Sequence, residues 1–288
     1  MDAENSGASD ELPRTLPARS KIQATFLIAR PPPKSTLYLT PKLLLQFQQL
    51  TNEGRSRPVM DIWQPPIRKS KLSREFHIKL RSGDSYATHD QPYAIDPHNV
   101  HQQRAISGQL HEKHRNPQKK DVVAVMCHST RDKAQAPTIS LRNDQCTWRV
   151  STRFTGHTKR EMCYRFTIND TLGDERLSRV MSMQWEKRLS DGGVSALVEG
   201  ECESEYFALC FIDHEARRKS RIATMTQNRL NIRVRKSSVI EHLQMCMDLA
   251  RSPVSGGEYS ESLEAWLYTH VLIMGTWVAD REGWVNHP

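Results

Sequence analysis

The stretch of residues 259–285 places the strongest constraint on the fold. Between Glu264 and Asp280, fifteen consecutive residues carry no formal charge. The large apolar side chains occupy every face of a helix rather than one stripe, and a helix of this kind must be enclosed by protein or lipid. These side chains are Leu263, Trp266, Leu267, Tyr268, Val271, Leu272, Ile273, Met274, Trp277 and Val278.

Protein, rather than lipid, is expected to enclose this helix. Fifteen residues at a rise of about 1.5 Å span roughly 22 Å, which is shorter than the roughly 30 Å hydrocarbon core of a bilayer. Acidic residues flank the stretch, where basic anchors would be expected beside a membrane span. The sequence therefore predicts a buried central helix over 259–285 and no transmembrane segment.

Composition sets the scale of the domain around that helix. The 288 residues could form one large domain or two small ones, and a single closed β-structure of about 200–250 residues is within ordinary limits. The apolar share of 37% is below the usual value, so part of the chain is expected to be disordered. We predict a disordered leader over 1–22 and a single domain over 23–286.

The charge is basic and unevenly distributed. The formal net charge is +8, and residues 14–120 alone hold 19 bases against 7 acids. Such a balance favours anionic partners, namely nucleic acid, phosphoinositide or acidic protein, although a solvated surface shows it too.

Six cysteines occur without a C-x-x-C pair, and the start MDAENSGASDELPRT lacks the basic and apolar regions of a secretory signal. We therefore expect free thiols that serve as small core side chains, and a cytoplasmic or nuclear location.

Most of the chain alternates between apolar and polar residues, which is typical of strands. Residues 41–50 are ambiguous between a helix begun by Pro41 and a strand. Residues 84–120 have almost no apolar pattern and predict a long polar loop or insertion. The predicted strands lie at 24–29, 36–40, 59–63, 74–80, 122–127, 137–141, 147–152, 163–168, 180–186, 205–212, 220–225 and 230–234.

A helix is predicted at 238–251, where Val239, Leu243, Cys246, Met247 and Ala250 share one side. About ten to twelve strands followed by two helices suggest a mainly β (α+β) fold. The prediction is a closed antiparallel barrel of about 12 strands around the hydrophobic C-terminal helix, because closure removes exposed strand edges.

The chain resembles the tubby-like C-terminal superfamily, which includes the tubby, LURP-one-related and phospholipid scramblase groups. The resemblance rests on the hairpin of 217–223 and 230–234 followed by the closing helix of 263–284. The segments Met60 to Pro66 (MDIWQPP) and Trp148 to Arg153 (WRVSTR) are also similar to uncharacterised filamentous-fungal proteins. The resemblance implies a barrel of about twelve strands around a hydrophobic helix, and phosphoinositide binding by basic side chains on its wall.

Two basic groups are candidates for binding anions. On adjacent antiparallel strands Arg221 could lie near Arg229, Arg233 or Arg235 and form a phosphate-binding surface. The alternative is a solvated strand face balanced by Glu203, Glu205 and Glu215. The first group comprises Arg217, Arg218, Lys219, Arg221, Arg229, Arg233 and Arg235, with His214 and Lys236 beside it.

The second basic group is Arg149, Arg153, Lys159 and Arg160, with His157 close by. Aromatic residues Trp148, Phe154 and Tyr164 are interleaved with it, which would suit stacking against single-stranded nucleic acid. The aromatic residues could equally be the inward half of the strand alternation. No helix-turn-helix, zinc-finger or RNP-like pattern occurs, so nucleic acid is not the expected partner.

Metal and cofactor sites are not predicted. His98, His101, His111 and His114 form two H-x-x-H pairs, but without a carboxylate or thiol at metal-binding spacing. His270, within the predicted central helix, is interpreted as a hydrogen-bonded core histidine.

No nucleophile elbow, Walker loop, dinucleotide fingerprint or kinase set is present. We therefore expect a non-enzymatic barrel that acts as a binding or adaptor module for anionic lipid or protein. The alternative is an unrecognised enzyme or an accessory factor of a fungal biosynthetic pathway.

Overall fold

The computed structural model describes residues 21–31, 40–66, 76, 80–81, 83–95, 121–128, 136–142, 147–154, 162–169, 181–189, 205–214, 217–250 and 262–285. These residues form twelve strands and two helices. The strands are β1 (Ile22–Ala29), β2 (Lys42–Leu50), β3 (Ser56–Gln64), β4 (Ser85–His89), β5 (Val122–Cys127), β6 (Thr138–Leu141), β7 (Thr147–Phe154), β8 (Met162–Asn169), β9 (Met181–Leu189), β10 (Glu205–Asp213), β11 (Arg218–Met225) and β12 (Arg229–Val234). The helices are α1 (Ser237–Ala250) and α2 (Leu263–Arg281).

The strands close into one antiparallel barrel in which each strand pairs with its neighbours along the chain. The first and last strands complete the circle, with Ile22 opposite Val234 and Phe26 opposite Leu230. The predicted closed barrel of about twelve strands is therefore confirmed. Closure leaves no strand edge of the barrel unpaired, which removes the usual route to edge-to-edge aggregation.

Alternation along each strand divides the barrel into an inner and an outer face. On β8, Tyr164, Phe166 and Ile168 are each 2% exposed or less and point inwards. Their neighbours Cys163 and Arg165 point outwards, as the sequence predicted. Apolar side chains dominate the inward positions of the strands, so the fold is stabilised mainly by the apolar area that they bury against the central helix.

The helix α2 fills the barrel, as predicted. All residues from Trp266 to Ala279 are buried. The Ser262 side chain caps its N-terminus by accepting a hydrogen bond from the Ala265 backbone N–H at 3.2 Å. Gly275 allows close approach to the wall, because a Cβ there would lie 2.9 Å from Leu230 Cδ1 on β12.

Polar contacts fix α2 against the wall at both ends. The Tyr268 hydroxyl lies 3.5 Å from the Gln23 backbone oxygen on β1. Beyond the C-terminus of α2, Glu282 accepts a 2.7 Å hydrogen bond from the Tyr164 hydroxyl. Burial, together with this hydrogen bond, raises the pKa of the Tyr164 phenol. Because the phenol stays protonated, it remains a donor to Glu282 across the physiological pH range.

The helix α1 packs at the end of the barrel where β10 finishes. Its buried side is formed by Val239, Leu243, Cys246, Met247 and Ala250, the set that the sequence predicted. His242 of α1 lies 3.5 Å from the Asp213 carboxylate and stacks on the Phe211 ring. These contacts place α1 over one mouth of the barrel.

The structure settles one ambiguous prediction and corrects another. Residues 41–50, ambiguous in the sequence, contain the strand β2. The predicted loop over 84–120 contains β4 at its start, where the buried residues Ser85, Ala87 and Thr88 are too small or too polar to show an apolar alternation. The rest of that segment beyond residue 95 lies outside the described residues.

The predicted strand at 74–80 is described only at Phe76 and Leu80. Both side chains are buried and neither residue lies in a strand. They pack with Val125 and Tyr86 on the outside of β4 and β5. Residues 1–20, which form most of the predicted leader, and residues 36–39 of the predicted second strand also fall outside the described residues.

Candidate anion-binding face

Strand register places members of both predicted basic groups on one continuous outer surface. Arg153 on β7 is opposite Cys163 on β8, and Cys163 is opposite Glu186 on β9. Cys210 on β10 is opposite both Gln184 on β9 and Arg221 on β11. Side chains that are directly opposite on neighbouring strands project to the same face, so the outward positions of β7–β12 form one surface.

We call the outward positions of β7–β12 the basic face. Among its described residues eight are basic and one, Glu186, is acidic. On β1 and β2, by contrast, the outward residues Gln23, Thr25, Gln46 and Gln48 are uncharged. The basic residues of the face are Arg149, Arg153, Arg165, Arg188, Lys219, Arg221, Arg229 and Arg233.

Two of the three predicted neighbours of Arg221, Arg229 and Arg233, share its face. Thr224 on β11 is opposite Asn231 on β12, and both point outwards. Ile222 in β11 has no partner on β10, because the register between the two strands shifts there. With this extra residue, Arg221 projects to the outer face as Thr224 does. Arg221 therefore shares this surface with Arg229 and Arg233, which flank Asn231.

Not every predicted residue lies on the face. Arg217 is in the tight turn before β11 and has a left-handed backbone with φ 50. Arg218 is opposite Asp213 at the end of β10. Arg235 and Lys236 are exposed in the link to α1. Of the second group, Lys159 and Arg160 fall outside the described residues.

Glu186 is the centre of one polar network on the face. Its carboxylate contacts Lys219 and accepts a 2.6 Å hydrogen bond from Arg188 Nη2. Gln184 Nε2 donates to the same carboxylate at 2.7 Å. Burial acts to raise the pKa of Glu186, but the hydrogen bonds and charges of Lys219 and Arg188 outweigh it and the pKa is lowered. Glu186 therefore stays ionised and compensates two of the eight bases.

A second network joins Arg165, Ser182 and His214. Ser182 Oγ lies 2.8 Å from His214 Nε2, and Arg165 Nη2 lies 3.1 Å from the same nitrogen and 3.4 Å from Ser182 Oγ. Burial and, after it, the Arg165 charge lower the pKa of His214, while Asp213 acts in the opposite direction. The lowered pKa favours the neutral imidazole at neutral pH, in which Nε2 accepts through its single lone pair, and Ser182 Oγ can accept from Arg165 as well as donate.

Five arginines of the face are not neutralised by the described carboxylates. Arg153, Arg165, Arg221, Arg229 and Arg233 form no ion pair within the described part of the chain. All of them except Arg165 are exposed, and the Nε of Arg165 is buried without a hydrogen-bond acceptor.

The acids expected to balance the basic strands do so only in part. Glu205 pairs at 2.8 Å with Lys187, which also contacts Glu282 at the end of α2. This ion pair lies at the rim of the barrel and neutralises no residue of the basic face. Glu203 and Glu215 are outside the described residues. The acid that does balance the face is Glu186. Strand alternation puts Arg188, two positions away, on the same side, but the contact with Lys219, 33 positions away, depends on strand register.

Sequence reasoning also missed Arg165, Arg188 and Ser182 as members of the face. The alternation of β8 and β9 contained the signal, since Cys163, Arg165 and Thr167 were already assigned to one side of their strand. Only the register between β8 and β9 shows which of these outward residues come together.

The aromatic residues of the second basic group point away from it. Trp148 and Tyr164 are 1% and 2% exposed and face α2. The Trp148 ring contacts His270, whose Nδ1 hydrogen-bonds to the Trp266 backbone oxygen at 2.7 Å. These aromatic residues are core side chains, so they cannot stack against a nucleic acid base. The side chain of Phe154 lies outside the described residues.

The described part of the chain offers few groups for binding a metal ion or for thiol chemistry. No cluster of His, Cys, Asp or Glu there is suited to a metal ion, and the four histidines of the H-x-x-H pairs lie outside it. Cys127, Cys163, Cys210 and Cys246 are free thiols. Of the helices that can be described, neither has the length and hydropathy needed to cross a bilayer.

Comparison with protein-family models, with curated proteins and with solved structures found no match to this chain.

Proposed function

We propose that the protein is a non-enzymatic binding module whose basic face contacts an anionic membrane surface. The observation that carries this proposal is the ratio of eight basic residues to one acidic residue on the outward positions of β7–β12. A surface with this excess attracts polyanions over distances of about 8–10 Å at ordinary ionic strength.

Three classes of anionic partner differ in what they require besides charge. Single-stranded nucleic acid needs exposed aromatic platforms, and Tyr206 is the only aromatic residue among the described outward positions of β7–β12. A protein partner needs an apolar centre within the contact area. The one exposed large hydrophobic residue among those described is Met245, on α1. A lipid headgroup layer needs only distributed cations, which favours the membrane.

The tubby-like resemblance supports the same choice. The closed barrel of twelve antiparallel strands around α2 is compatible with that superfamily. We propose that the chain is a distant member, and that phosphoinositides are the preferred anionic lipids. Cytoplasmic and nuclear membrane surfaces expose such lipids, which agrees with the location expected for a chain with free thiols.

The magnitude of the attraction can be bounded. A basic residue close to an anionic leaflet contributes about 1 kcal/mol. The exposed and unpaired Arg153, Arg221, Arg229 and Arg233 would together contribute about 4 kcal/mol if all of them reached the surface at once. Lys219 and Arg188 contribute less, because Glu186 already compensates them.

Vesicle co-sedimentation tests the proposal. Phosphatidylcholine vesicles containing phosphatidylserine or phosphatidylinositol 4,5-bisphosphate should bind the protein, and pure phosphatidylcholine vesicles should not. The double substitution Arg221→Gln/Arg233→Gln removes two exposed charges and should weaken binding about 30-fold, from about 2 kcal/mol.

The matched control is Arg55→Gln. Arg55 is 84% exposed in the β2–β3 turn, outside the strands β7–β12, and lies 3.9 Å from the Glu53 carboxylate. Its substitution removes one charge without changing any residue of the basic face. The variant should bind nearly as well as the unmodified protein. A loss of binding free energy in the control that is about half the loss in the double variant would show that only net charge matters. Absence of binding at low salt would refute the proposal.

The enzymatic alternative would need a nucleophile within reach of a substrate. The nearest arrangement of this type is the hydrogen bond from Ser182 to His214. Ser182 is 0% exposed, so a substrate cannot approach its hydroxyl without displacing the surrounding strands. Its burial favours the binding module over a hydrolase.

A further inference from the structure

The link from β12 to α1 presents two serines directly after two basic residues. Arg235 and Lys236 lie between the strand and the helix, Ser237 and Ser238 begin α1, and all four residues are exposed. Neither cation forms an ion pair within the described part of the chain. Arg235 is three positions before Ser238 and Lys236 is two positions before it. Protein kinases that select substrates by charge recognise cations at this spacing.

We infer that Ser238 is a phosphorylation site for a kinase of this class, and that its phosphate weakens the attachment of the basic face to a membrane. The second half of the inference rests on the proposed function. In the transfer, Ser238 Oγ forms a bond to the γ-phosphorus of ATP while the bond from that phosphorus to the β–γ bridging oxygen breaks. ADP leaves, and the hydroxyl proton passes to a carboxylate of the kinase. The product carries about 1.5–2 negative charges near pH 7.

The start of α1 is the part of this helix that a kinase can open at least cost. Its first backbone hydrogen bonds run from the N–H groups of Val239 and Ile240 to the Lys236 oxygen, at 3.1 Å and 3.2 Å. The N–H groups of Ser237 and Ser238 are among the first four of the helix, which have no intrahelical partner. Releasing Ser238 into an extended conformation therefore breaks two hydrogen bonds and leaves the following turns of α1 in place.

Ser220 shows the same sequence pattern in a place that a kinase cannot reach so easily. Arg217 and Arg218 stand three and two positions before it. Ser220 is half-buried in β11, where it is opposite Phe211 of β10, and Phe211 points into the core. The basic pattern occurs at both serines, so exposure at the start of a helix is what distinguishes Ser238.

The position of Ser238 connects its phosphate to the basic face. Three Cα–Cα steps of about 3.8 Å put Ser238 within about 11 Å of Arg235, close to the Debye length of about 8–10 Å at ordinary ionic strength. Arg235 follows Arg233 of the basic face by two positions. The phosphate therefore opposes the attraction that these cations exert on an anionic surface, and it competes for Arg235 and Lys236 themselves.

Phosphorylation of the full chain tests the site directly. The protein is incubated with ATP, Mg²⁺ and the catalytic subunit of cyclic-AMP-dependent protein kinase, and phosphopeptides are identified by mass spectrometry. A phosphate should be found at Ser238, and Ser238→Ala should remove it. Ser220→Ala is the matched control and should leave it unchanged. Absence of phosphate at Ser238, or a phosphate at Ser220 in its place, would overturn the inference whatever the vesicles show.

Vesicles of phosphatidylcholine and phosphatidylserine test the consequence for binding. The phosphorylated protein should bind about tenfold more weakly than the unmodified protein, and Ser238→Asp, which adds one charge, about threefold more weakly. Asn52→Asp adds the same charge in the exposed β2–β3 turn, outside β7–β12, and should weaken binding much less. Equal losses for the two aspartate variants would overturn the local effect of the phosphate.

Hydrogen exchange separates the failure of this inference from the failure of the proposed function. The first turn of α1 contains no acidic residue, so a phosphate at Ser238 should interact favourably with the N-terminal end of the helix. Exchange of the Val239 and Ile240 amides should slow about twofold to fivefold without vesicles. If exchange slows but the unmodified protein does not bind vesicles, the membrane proposal falls and the modification site stands. If the phosphorylated and unmodified proteins bind vesicles equally well, this inference falls and the membrane proposal stands.

Discussion

Replacing Gly275 with alanine should destabilise the protein, although alanine is the better helix former. The added Cβ would lie 2.9 Å from Leu230 Cδ1 and 3.1 Å from Met225 Sδ. Ordinary contacts between such atoms are about 3.5–4.0 Å. Leu230 and Met225 are 0% and 1% exposed, and the Trp185 ring lies 3.8 Å from the same Cβ. The side chains therefore have little room to move.

The two opposing effects can be compared. Overpacking of this kind costs about 1–3 kcal/mol, and alanine gains about 1 kcal/mol over glycine within a helix. The expected net loss is about 1 kcal/mol, or a fall in Tm of about 2–4 °C. Urea denaturation followed by circular dichroism measures the free energy of unfolding, and a thermal scan gives Tm.

A double-mutant cycle makes the prediction sharper. In a Leu230→Ala background the clash with Leu230 is removed, so Gly275→Ala should become neutral or stabilising. The coupling free energy between the two positions should be about 1–3 kcal/mol. If Gly275→Ala stabilises the unmodified protein by about 1 kcal/mol, and no coupling appears, then α2 does not lie against β12 and the enclosed helix is wrong.

Three further predictions concern titration and charge. The pKa of His214 is lowered on folding, so the unfolded chain takes up this proton at a higher pH than the folded protein does. The free energy of unfolding should therefore fall as the pH drops below about 6.5. In urea titrations His214→Gln should reduce this dependence of the free energy of unfolding on pH. Glu186→Gln removes the carboxylate that Lys219 and Arg188 share. It should lower the free energy of unfolding by about 1–2 kcal/mol, a small value because both cations are partly exposed. An unchanged free energy of unfolding would show that the network is solvated. Desolvation raises the pKa of the half-buried Cys127 to about 11 and that of the buried Cys246 to about 12. Mass spectrometry should therefore detect slow alkylation of both by iodoacetamide at about pH 8 in the folded protein and fast alkylation after denaturation, and rapid labelling of the folded protein would contradict the raised pKa values.

The central helix and most strands could be predicted because their residues carry their own burial pattern. A run such as Trp266 to Ala279 cannot be solvated on any side. Alternation along β8 shows which side chains face inwards whatever the strand pairs with. The twelve-strand barrel then follows from the number of strands and the need to remove their edges.

What could not be predicted depends on partners that are distant in the chain. The strand β4 is short, and its partners are distant in the chain: Ala87 belongs to the core inside the barrel, and Tyr86 packs with Phe76 and Leu80 outside it. The pairing of Lys219 with Glu186, and of Arg165 with His214, depends on strand register. A shift of two residues would keep every side chain on its face and yet separate these pairs.

Because α2 fills the barrel, the strands that leave the ribosome before it cannot bury their inward side chains. All twelve strands precede the segment that fills their interior, and contacts such as that between Thr25 and Asn231 join positions 206 apart in the chain. Until α2 has emerged from the ribosome, the inward aromatic side chains have nothing to cover them. We therefore expect slow folding and a dependence on chaperones that shield the unfilled wall. A stop codon upstream of residue 262 should yield insoluble chain rather than a smaller folded domain.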